Sequence, residues 1–311
     1  MRFRSTFDGK LIEFTPEKSM GYQAKIGADI NMAFDECTYY PASHEYAEKA
    51  MKRTHEWLVR CIKYKKSSIP FFSPSSPRHK PTAGPQEIGS KKVSSPSKRQ
   101  QFLYGVIQGA TFEDLRKKSA EFVVSQNTPG VAIGGVSVGE SKKEIRDQVK
   151  WVADYLPEDR PVHLLGVGQF DDIIDLVKYG IDTFDCVEPT RLGRMGQIYQ
   201  IGKARHRNFL TQVGPFRVSP VKGKPLPQKR KKFDLSLSNE IDILKSIYKN
   251  NLEKVDENCN CYVCKNFTKS YLHHLFKQRE ILGYTLATYH NLWVMERLFD
   301  KIRETISEDR I

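Results

Sequence analysis

Residues 131–187, VAIGGVSVGESKKEIRDQVKWVADYLPEDRPVHLLGVGQFDDIIDLVKYGIDTFDCV, read as strand, helix, strand, helix, strand. Three short apolar runs, 131–138 (VAIGGVSV), 162–167 (VHLLGV) and 181–187 (IDTFDCV), are separated by charged amphipathic stretches at 142–155 and 170–179. Continuously apolar strands belong to sheets covered on both faces, and helical crossovers join parallel neighbours. Upstream, 26–34 (IGADINMAF) and 103–108 (LYGVIQ) are two more such runs, followed by helix-like stretches at 43–63 and 111–126. The alternation predicts an α/β fold with a parallel sheet covered by helices, and doubly wound and barrel forms both fit it. Polar or glycine residues close almost every strand: Asp35-Glu36, Gln108-Gly109, Gly139-Glu140, Gly166-Val167-Gly168 and Asp185-Cys186. Groups spread over many strand ends suit a (β/α)8 barrel, whose active site collects at that face. The runs make only five β/α units. The expectation is therefore a TIM barrel of which the C-terminal five or so units are present, the missing ones lying N-terminal.

The chain has 311 residues, 39% of them hydrophobic, enough for a large core in one big domain or two smaller ones. No run approaches the eighteen or more apolar residues of a membrane helix, and the start, MRFRSTFDGK, lacks the apolar core of a signal peptide. Six cysteines do not read as a disulfide framework, so a reducing cytoplasm is expected and no membrane partner. The formal charge of +13, from 50 Lys+Arg against 37 Asp+Glu, suggests a polyanionic partner such as nucleic acid. Much of that excess sits in two segments. Residues 65–101, rich in Ser, Pro and Lys, read as a disordered basic insertion between a helix and a strand. Residues 218–233 (VSPVKGKPLPQKRKKF) read as a second basic, Pro-containing loop, in which Lys229-Arg230-Lys231-Lys232 resembles a nuclear signal. The expected organisation is a partial barrel at 1–217, the basic loop at 218–238, and a metal-binding subdomain with C-terminal helices at 239–311.

Three of the six cysteines fall within six residues: Cys259, Cys261 and Cys264, spaced C-x-C-x2-C. Three thiolates from one tight turn and an imidazole from the following helix make a tetrahedral Cys3His shell for one structural zinc ion. His273 and His274 lie nearer in sequence, on an amphipathic stretch where histidines are more often packed or surface residues. His290 is favoured because His290-Asn291 ends one apolar helical run and opens another. Four protein ligands leave no open position, so the chemistry lies elsewhere.

Asp185 ends an apolar strand in GIDTFDCVEPTR. A carboxylate there is partly desolvated yet open to a cleft, and can be a nucleophile, a base, a metal ligand or a buried structural acid. Asp35, in MAFDEC, offers the same choice. Gln108-Gly109 and Gly134-Gly135 add neutral donors and acceptors with close backbone approach. Two carboxylates, an amide and bare backbone suit the amide and amidine edge of a guanine. Arg191 and Arg194, in PTRLGR just beyond Asp185, can grip phosphate or read base edges, or form a surface ion pair.

These motifs, taken in order, resemble those of the tRNA-guanine transglycosylases. The resemblance runs through FRSTFDGKLIEFTPEKSMGYQAKIGADINMAFDEC, LYGVIQGATFEDLRKKSAE, VAIGGVSVGE, HLLGVGQFDDI and GIDTFDCVEPTRLGRMG, then CNCYVCKNFTKSYLHHLF and LATYHNLWVMERLFDKIRETI. It implies that Asp185 is the nucleophile that attacks the ribose C1′ of the wobble guanosine in tRNAs with GUN anticodons. It further implies that Asp35 and Gln108 bind the polar edge of the base, that Gly135 and Val136 supply backbone contacts, and that Leu165 stacks where the family usually has methionine. Gly166, Val167, Gly168, Gln169, Phe170, Asp171 and Asp172 match one tRNA-contact segment. Thr190, Arg191, Leu192, Gly193 and Arg194 match another. Cys259, Cys261, Cys264 and His290 match the family's zinc ligands.

A splayed anticodon base can reach a buried pocket at modest cost, and a carboxylate attacking C1′ parallels the retaining glycosidases. The resemblance is to the bacterial type, because Val138 and Cys37 suit the small 7-deazaguanine pre-queuosine-1 over queuine. It implies a role in queuosine biosynthesis, with guanine as the exchanged base. The family's Asp-Ser-Gly-Gly-Phe-Gln segment, which carries a general acid/base, has no counterpart in the sequence. Two expectations follow: a catalytic chain acting as a homodimer or with a polypeptide that supplies the missing strands, or a noncatalytic partner or inactive fragment that binds tRNA.

Overall fold

The structure, a computed structural model, describes residues 1–68, 101–201 and 237–308. The chain divides into two compact units, Met1–His163 and Leu164–Ile311.

In the first unit, β1 (Arg2–Arg4) and β2 (Leu11–Glu13) form an antiparallel hairpin with Arg2 opposite Glu13. Helix α1 (Pro16–Ile26) starts where local chemistry says it should. The Thr15 side chain accepts the Lys18 N–H, and Pro16 takes the first turn, where no amide is missed. It stops at Gly27, whose φ of 79° is the left-handed cap that glycine adopts freely. Then follow β3 (Ile30–Met32), α2 (His44–Ser68), β4 (Phe102–Ile107), α3 (Glu113–Ser125), β5 (Gly130–Ile133) and α4 (Lys142–Val152). A reciprocal cap between Ser141 and Glu144 opens α4. β3 pairs with β4 and β4 with β5, both parallel, with Asn31 opposite Leu103 and Val106 opposite Ala132. All of β5 and the last five residues of β4 are buried, as strands covered on both faces require. Helices α2 and α3 pack on β4 through Leu58 and Val123, both fully buried and facing Gly105. The start of β6 (Val162–Leu164) follows β5 in the sheet.

In the second unit the end of β6 is followed by α5 (Phe170–Leu176) and by β7 (Thr183–Phe184), its neighbour in the sheet. Helix α6 (Glu188–Arg194), β8 (Gln197–Ile201) and β9 (Leu237–Asp242) come next, the two strands antiparallel. The chain ends in α7 (Tyr262–Asn266), α8 (Lys269–Lys277) and the long α9 (Ile281–Ser307). One core cluster joins Val294, Leu298 and Ile302 of α9 to Ile198, Ile243, Leu272 and Phe276. Helix α6 lies directly on α9, where a Cβ on Gly193 would stand 2.9 Å from the Thr288 backbone.

The strand–helix alternation read from the sequence is present, with four corrections. The strand expected at 26–34 shrinks to Ile30–Met32, because Ile26 closes α1 and Gly27 turns the chain. Residues 134–138, 165–167 and 185–187 are not strand but strand-end loops, which frees their backbone groups for other partners. No helix break occurs at His290-Asn291: α9 runs straight through, and the polar pair interrupts the apolar pattern because both side chains are buried against partners. The helix expected at 43–63 extends to Ser68, taking in the first residues assigned to the basic insertion. Residues 69–100 of that insertion and 218–236 of the second basic loop lie outside the described residues. Among the described residues no helix is long and apolar enough to cross a membrane.

Because Gly193 meets rigid backbone and not a movable side-chain tip, Gly193→Ala should wedge α6 off α9. The expected loss is about 1–3 kcal/mol in urea unfolding, typical of overpacking. An unchanged midpoint would contradict the close approach.

Candidate active site and metal centre

In the first unit Asp35 and Gln108 stand just beyond β3 and β4. Gln108 is buried, and its Nε2 donates to Asp35 Oδ2 at 2.7 Å. Its backbone N–H donates to Ser119 Oγ of α3 at 3.0 Å, and His55 Nε2 of α2 stands 3.0 Å from the same hydroxyl. Gly135, beyond β5, has φ of 61°, and a Cβ there would lie 2.2 Å from Gln108 Oε1. Only glycine fits such a position. The structure thus brings Asp35, Gln108 and Gly135 together from three successive strand ends, with Val136 buried beside them. Burial pushes the Asp35 carboxyl up, and the hydrogen bond from Gln108 only partly offsets it. Burial, and then the charge of Asp35, also raise the Cys37 thiol. Gln108 Oε1 is buried with no hydrogen-bond partner, an unmet acceptor of the kind a ligand N–H would satisfy.

Arg116 of α3 was not picked out in the sequence. It is fully buried, donating from Nε to Ala110 O at 2.7 Å, from Nη1 to Gly134 O at 2.6 Å and Ile107 O at 3.4 Å, and from Nη2 to Gly135 O at 2.7 Å. Nη2 also reaches Gln148 Oε1 of α4. Burial lowers its pKa to about 10, still a cation near neutrality. In EDLRKKSAE it looks like one of three surface cations. The available signal was its place in the buried helical stripe with Leu115, Ser119, Ala120 and Val123.

In the second unit Asp185 follows β7 directly and is exposed, its Oδ1 accepting the Gly166 N–H at 3.0 Å. Gly166 has φ of 75°. Gly168 is buried against Cys186, where a Cβ would come within 2.2 Å, so the loops after β6 and β7 lie back to back. Gln169 donates to Glu188 at 3.0 Å, which ties the same two loops again. Of the residues matched to tRNA contact, Val167, Asp172 and Gly193 are buried and Asp171 is half-buried. Phe170 meets the Tyr199 ring edge-on, Leu192 packs on the core, and the Thr190 hydroxyl caps Val187 O at 2.9 Å. Leu165 is half-buried, while Gly166, Gln169, Arg191 and Arg194 are exposed.

Cys259, Cys261, Cys264 and His290 form a buried group whose ligand atoms lie within 4.8 Å of one another. This group could hold a metal ion. His290 Nδ1 stands 3.3 Å from Cys264 Sγ and 3.5 Å from Cys261 Sγ. Zinc bonds of about 2.3 Å to sulfur and 2.0 Å to nitrogen, at the tetrahedral angle, would put those atoms about 3.5 Å apart. The donor set and spacing therefore fit zinc. The other ring nitrogen, Nε2, donates to Tyr199 O at 2.9 Å, an outer bond that sets the tautomer and aims Nδ1 at the sulfurs. His273 instead bonds Ile243 O through Nδ1 at 2.7 Å and is a packed residue, and His274 is exposed. Next to the ligand, Asn291 accepts the Tyr199 N–H at 3.0 Å and donates to Pro189 O at 3.1 Å and Gln197 O at 3.0 Å.

Two outcomes test these sites. Elemental analysis should find about one metal ion per chain, and Cys261→Ala should lose it together with several kcal/mol of stability; full metal content in the variant would refute the ligand set. For Asp35 the sign follows from a folded pKa above the ordinary 3.8. Its contribution is fully present below that value and is lost as pH rises through the folded pKa. Asp35→Asn should therefore unfold at higher urea than the parent at pH 7, with the advantage vanishing in acid. A variant less stable at pH 7 would contradict that environment.

Comparison with known proteins agrees with this geometry. The chain matches the family described as queuine tRNA-ribosyltransferase over residues 1–311. It is 36% identical over 311 residues to the queuine tRNA-ribosyltransferase of Caldanaerobacter subterraneus subsp. tengcongensis, covering 100% of this chain and 65% of that protein. The Synechococcus elongatus protein of the same name is 38% identical over 308 residues, covering 99% and 63%. A putative queuine tRNA-ribosyltransferase of Archaeoglobus fulgidus is 34% identical over 308 residues, covering 99% and 62%. The chain thus spans a little under two thirds of the length of these curated relatives. With a match that runs from its first residue to its last, the chain belongs to the queuine tRNA-ribosyltransferase family.

Proposed function

We propose that the protein is a tRNA-guanine transglycosylase that exchanges the wobble guanine of GUN-anticodon tRNAs for the 7-deazaguanine pre-queuosine-1. The observation that carries this reading is the edge made by Asp35, Gln108 and Gly135. A carboxylate, a buried amide oxygen without a partner and bare backbone offer the donors and acceptors that a guanine edge requires. Asp185 is the nucleophile. As its carboxylate oxygen bonds to C1′, the glycosidic bond breaks and its electron pair leaves with the base, which takes up a proton. The incoming base then loses a proton, attacks the same carbon and expels the carboxylate, so configuration is retained. The Gly166 N–H on Asp185 Oδ1 orients the carboxyl. Leu165 packs on the base, and exposed Gln169, Arg191 and Arg194 meet the tRNA.

The remaining assignments belong to the same reading. The sheet is part of a (β/α)8 barrel, with the catalytic region at 1–217 and the metal subdomain at 239–311. One zinc ion in the Cys3His group is structural and cross-links the cysteine turn to α9. The enzyme works in the cytoplasm, as a homodimer or with polypeptide that completes the barrel and carries the Asp-Ser-Gly-Gly-Phe-Gln segment. The exposed Arg191 and Arg194 would serve equally in a second reading, a tRNA-binding partner subunit without chemistry of its own.

Trapping on denaturing gels separates the two. The protein, alone and with a candidate partner, should form a covalent RNA adduct and exchange labelled guanine into tRNA. Asp185→Asn should abolish the adduct and cut exchange by about 10³-fold or more. Tight tRNA binding with no adduct in any combination would establish the partner-subunit reading.

A further inference from the structure

Arg116 has no part in that chemistry, yet it is the largest side chain among the fully buried ones. A buried cation is costly unless something needs its charge, and a packed apolar side chain would hold the helix at less expense. Its hydrogen bonds go to neutral acceptors: four backbone carbonyls and the Gln148 amide. Those carbonyls are the ends of β4 and β5, the stretches that carry Gln108 and Gly135.

Two of these bonds, 2.6 Å to Gly134 O and 2.7 Å to Gly135 O, go to consecutive carbonyls. Each carbonyl shares a planar peptide unit with the next N–H, that of Gly135 or of Val136. In a trans peptide the N–H points away from the carbonyl, so both donors point away from the guanidinium. A charge-assisted bond at one end of a peptide polarises it and strengthens donation at the other. Two consecutive N–H groups with a left-handed glycine between them make an anion-binding concavity.

We propose that Arg116 is a positioning residue of the base site, whose guanidinium fixes and polarises the Gly134 and Gly135 peptide groups so that the Gly135 and Val136 N–H groups bind the 6-oxo oxygen of the purine. This rests on the transglycosylase reading for the identity of the base. The effect is specific to an oxygen at that position. A purine with an amino group there has no acceptor for the polarised donors.

The test uses the full chain with Arg116→Lys, which keeps a cation but loses the fork, and Arg116→Met, which loses both. In base-free protein the amide 15N resonances of Gly135 and Val136 should move upfield in both variants, further in Arg116→Met. Guanine binding should weaken by about tenfold or more in Arg116→Lys, since a point charge cannot serve both carbonyls. Binding of 2,6-diaminopurine, which carries a 6-amino group and an unprotonated N1 in place of the oxo group and N1–H, should change far less between parent and variant, so the guanine preference falls. Equal weakening toward both bases, unchanged 15N shifts, or loss of cooperative unfolding in both variants would overturn the proposal and leave Arg116 as scaffold. Failure of the unmodified protein to bind guanine, with the 15N shifts moving as expected, would overturn the transglycosylase reading and not the polarisation.

Discussion

Both backbone groups of Tyr199 are held by two consecutive side chains of α9: its N–H donates to Asn291 Oδ1 and its carbonyl accepts from His290 Nε2. These contacts are buried, where an unmet polar group costs about 1–3 kcal/mol, so they are made together or the helix does not seat. The two residues then reach in different directions. His290 turns its other nitrogen to the cysteine turn, and Asn291 reaches Pro189 in α6 and Gln197 at the start of β8. A metal ion at the cysteines would therefore do more than close a knuckle. It would anchor the residue pair that seats the helix following Asp185, the helix on which Arg191 and Arg194 are displayed.

The first unit solves the same physical problem with a cation. Beyond the strand ends carbonyls lose their ladder partners, and Arg116 gathers three of them, those of Ala110, Gly134 and Gly135, from inside the protein. A neutral hydroxyl does the complementary work, since Ser119 accepts the Gln108 N–H. His55, stacked on Phe122 beside that hydroxyl, is held to a pKa of about 4 by burial and so stays neutral near pH 7. Asp35, Gln108 and Gly135 come from strand ends, but helices α2 and α3 hold them still. A loop fixed from behind by buried bonds can present Gln108 and Gly135 without first ordering them, which is what preorganised recognition requires.

Much of this was legible along the chain. Apolar runs at 103–108 and 131–138 and the charged stretches between them announced a parallel sheet with crossover helices, because burial on both faces leaves a local mark. Thr15-Pro16 and Ser141 with Glu144 carry equally local start signals, although no helix was expected at 16–26. The candidate residues Asp35, Gln108 and Asp185 were visible because each lies where an apolar run gives way to polar residues, and Gly135 because a glycine pair interrupts one. Arg116 and Asn291 were not read for what they do. Arg116 resembled its surface neighbours Lys117 and Lys118, and the His290-Asn291 pair resembled a helix boundary because inward-facing polar residues interrupt a periodicity just as a loop does.

The sequence by itself determined the α/β alternation, the places where strands give way to polar loops, and the clustering of Cys259, Cys261 and Cys264. Each is written in spacing or composition over a few turns of chain, where the backbone's own geometry decides which residues share a face. Tertiary structure alone decided which buried polar group meets which. Gln108 finds Asp35 across 73 residues, and Asn291 finds Pro189 across 102. Partners so distant are chosen by the packing of whole helices and strands, and a buried donor or acceptor takes whichever group that packing delivers.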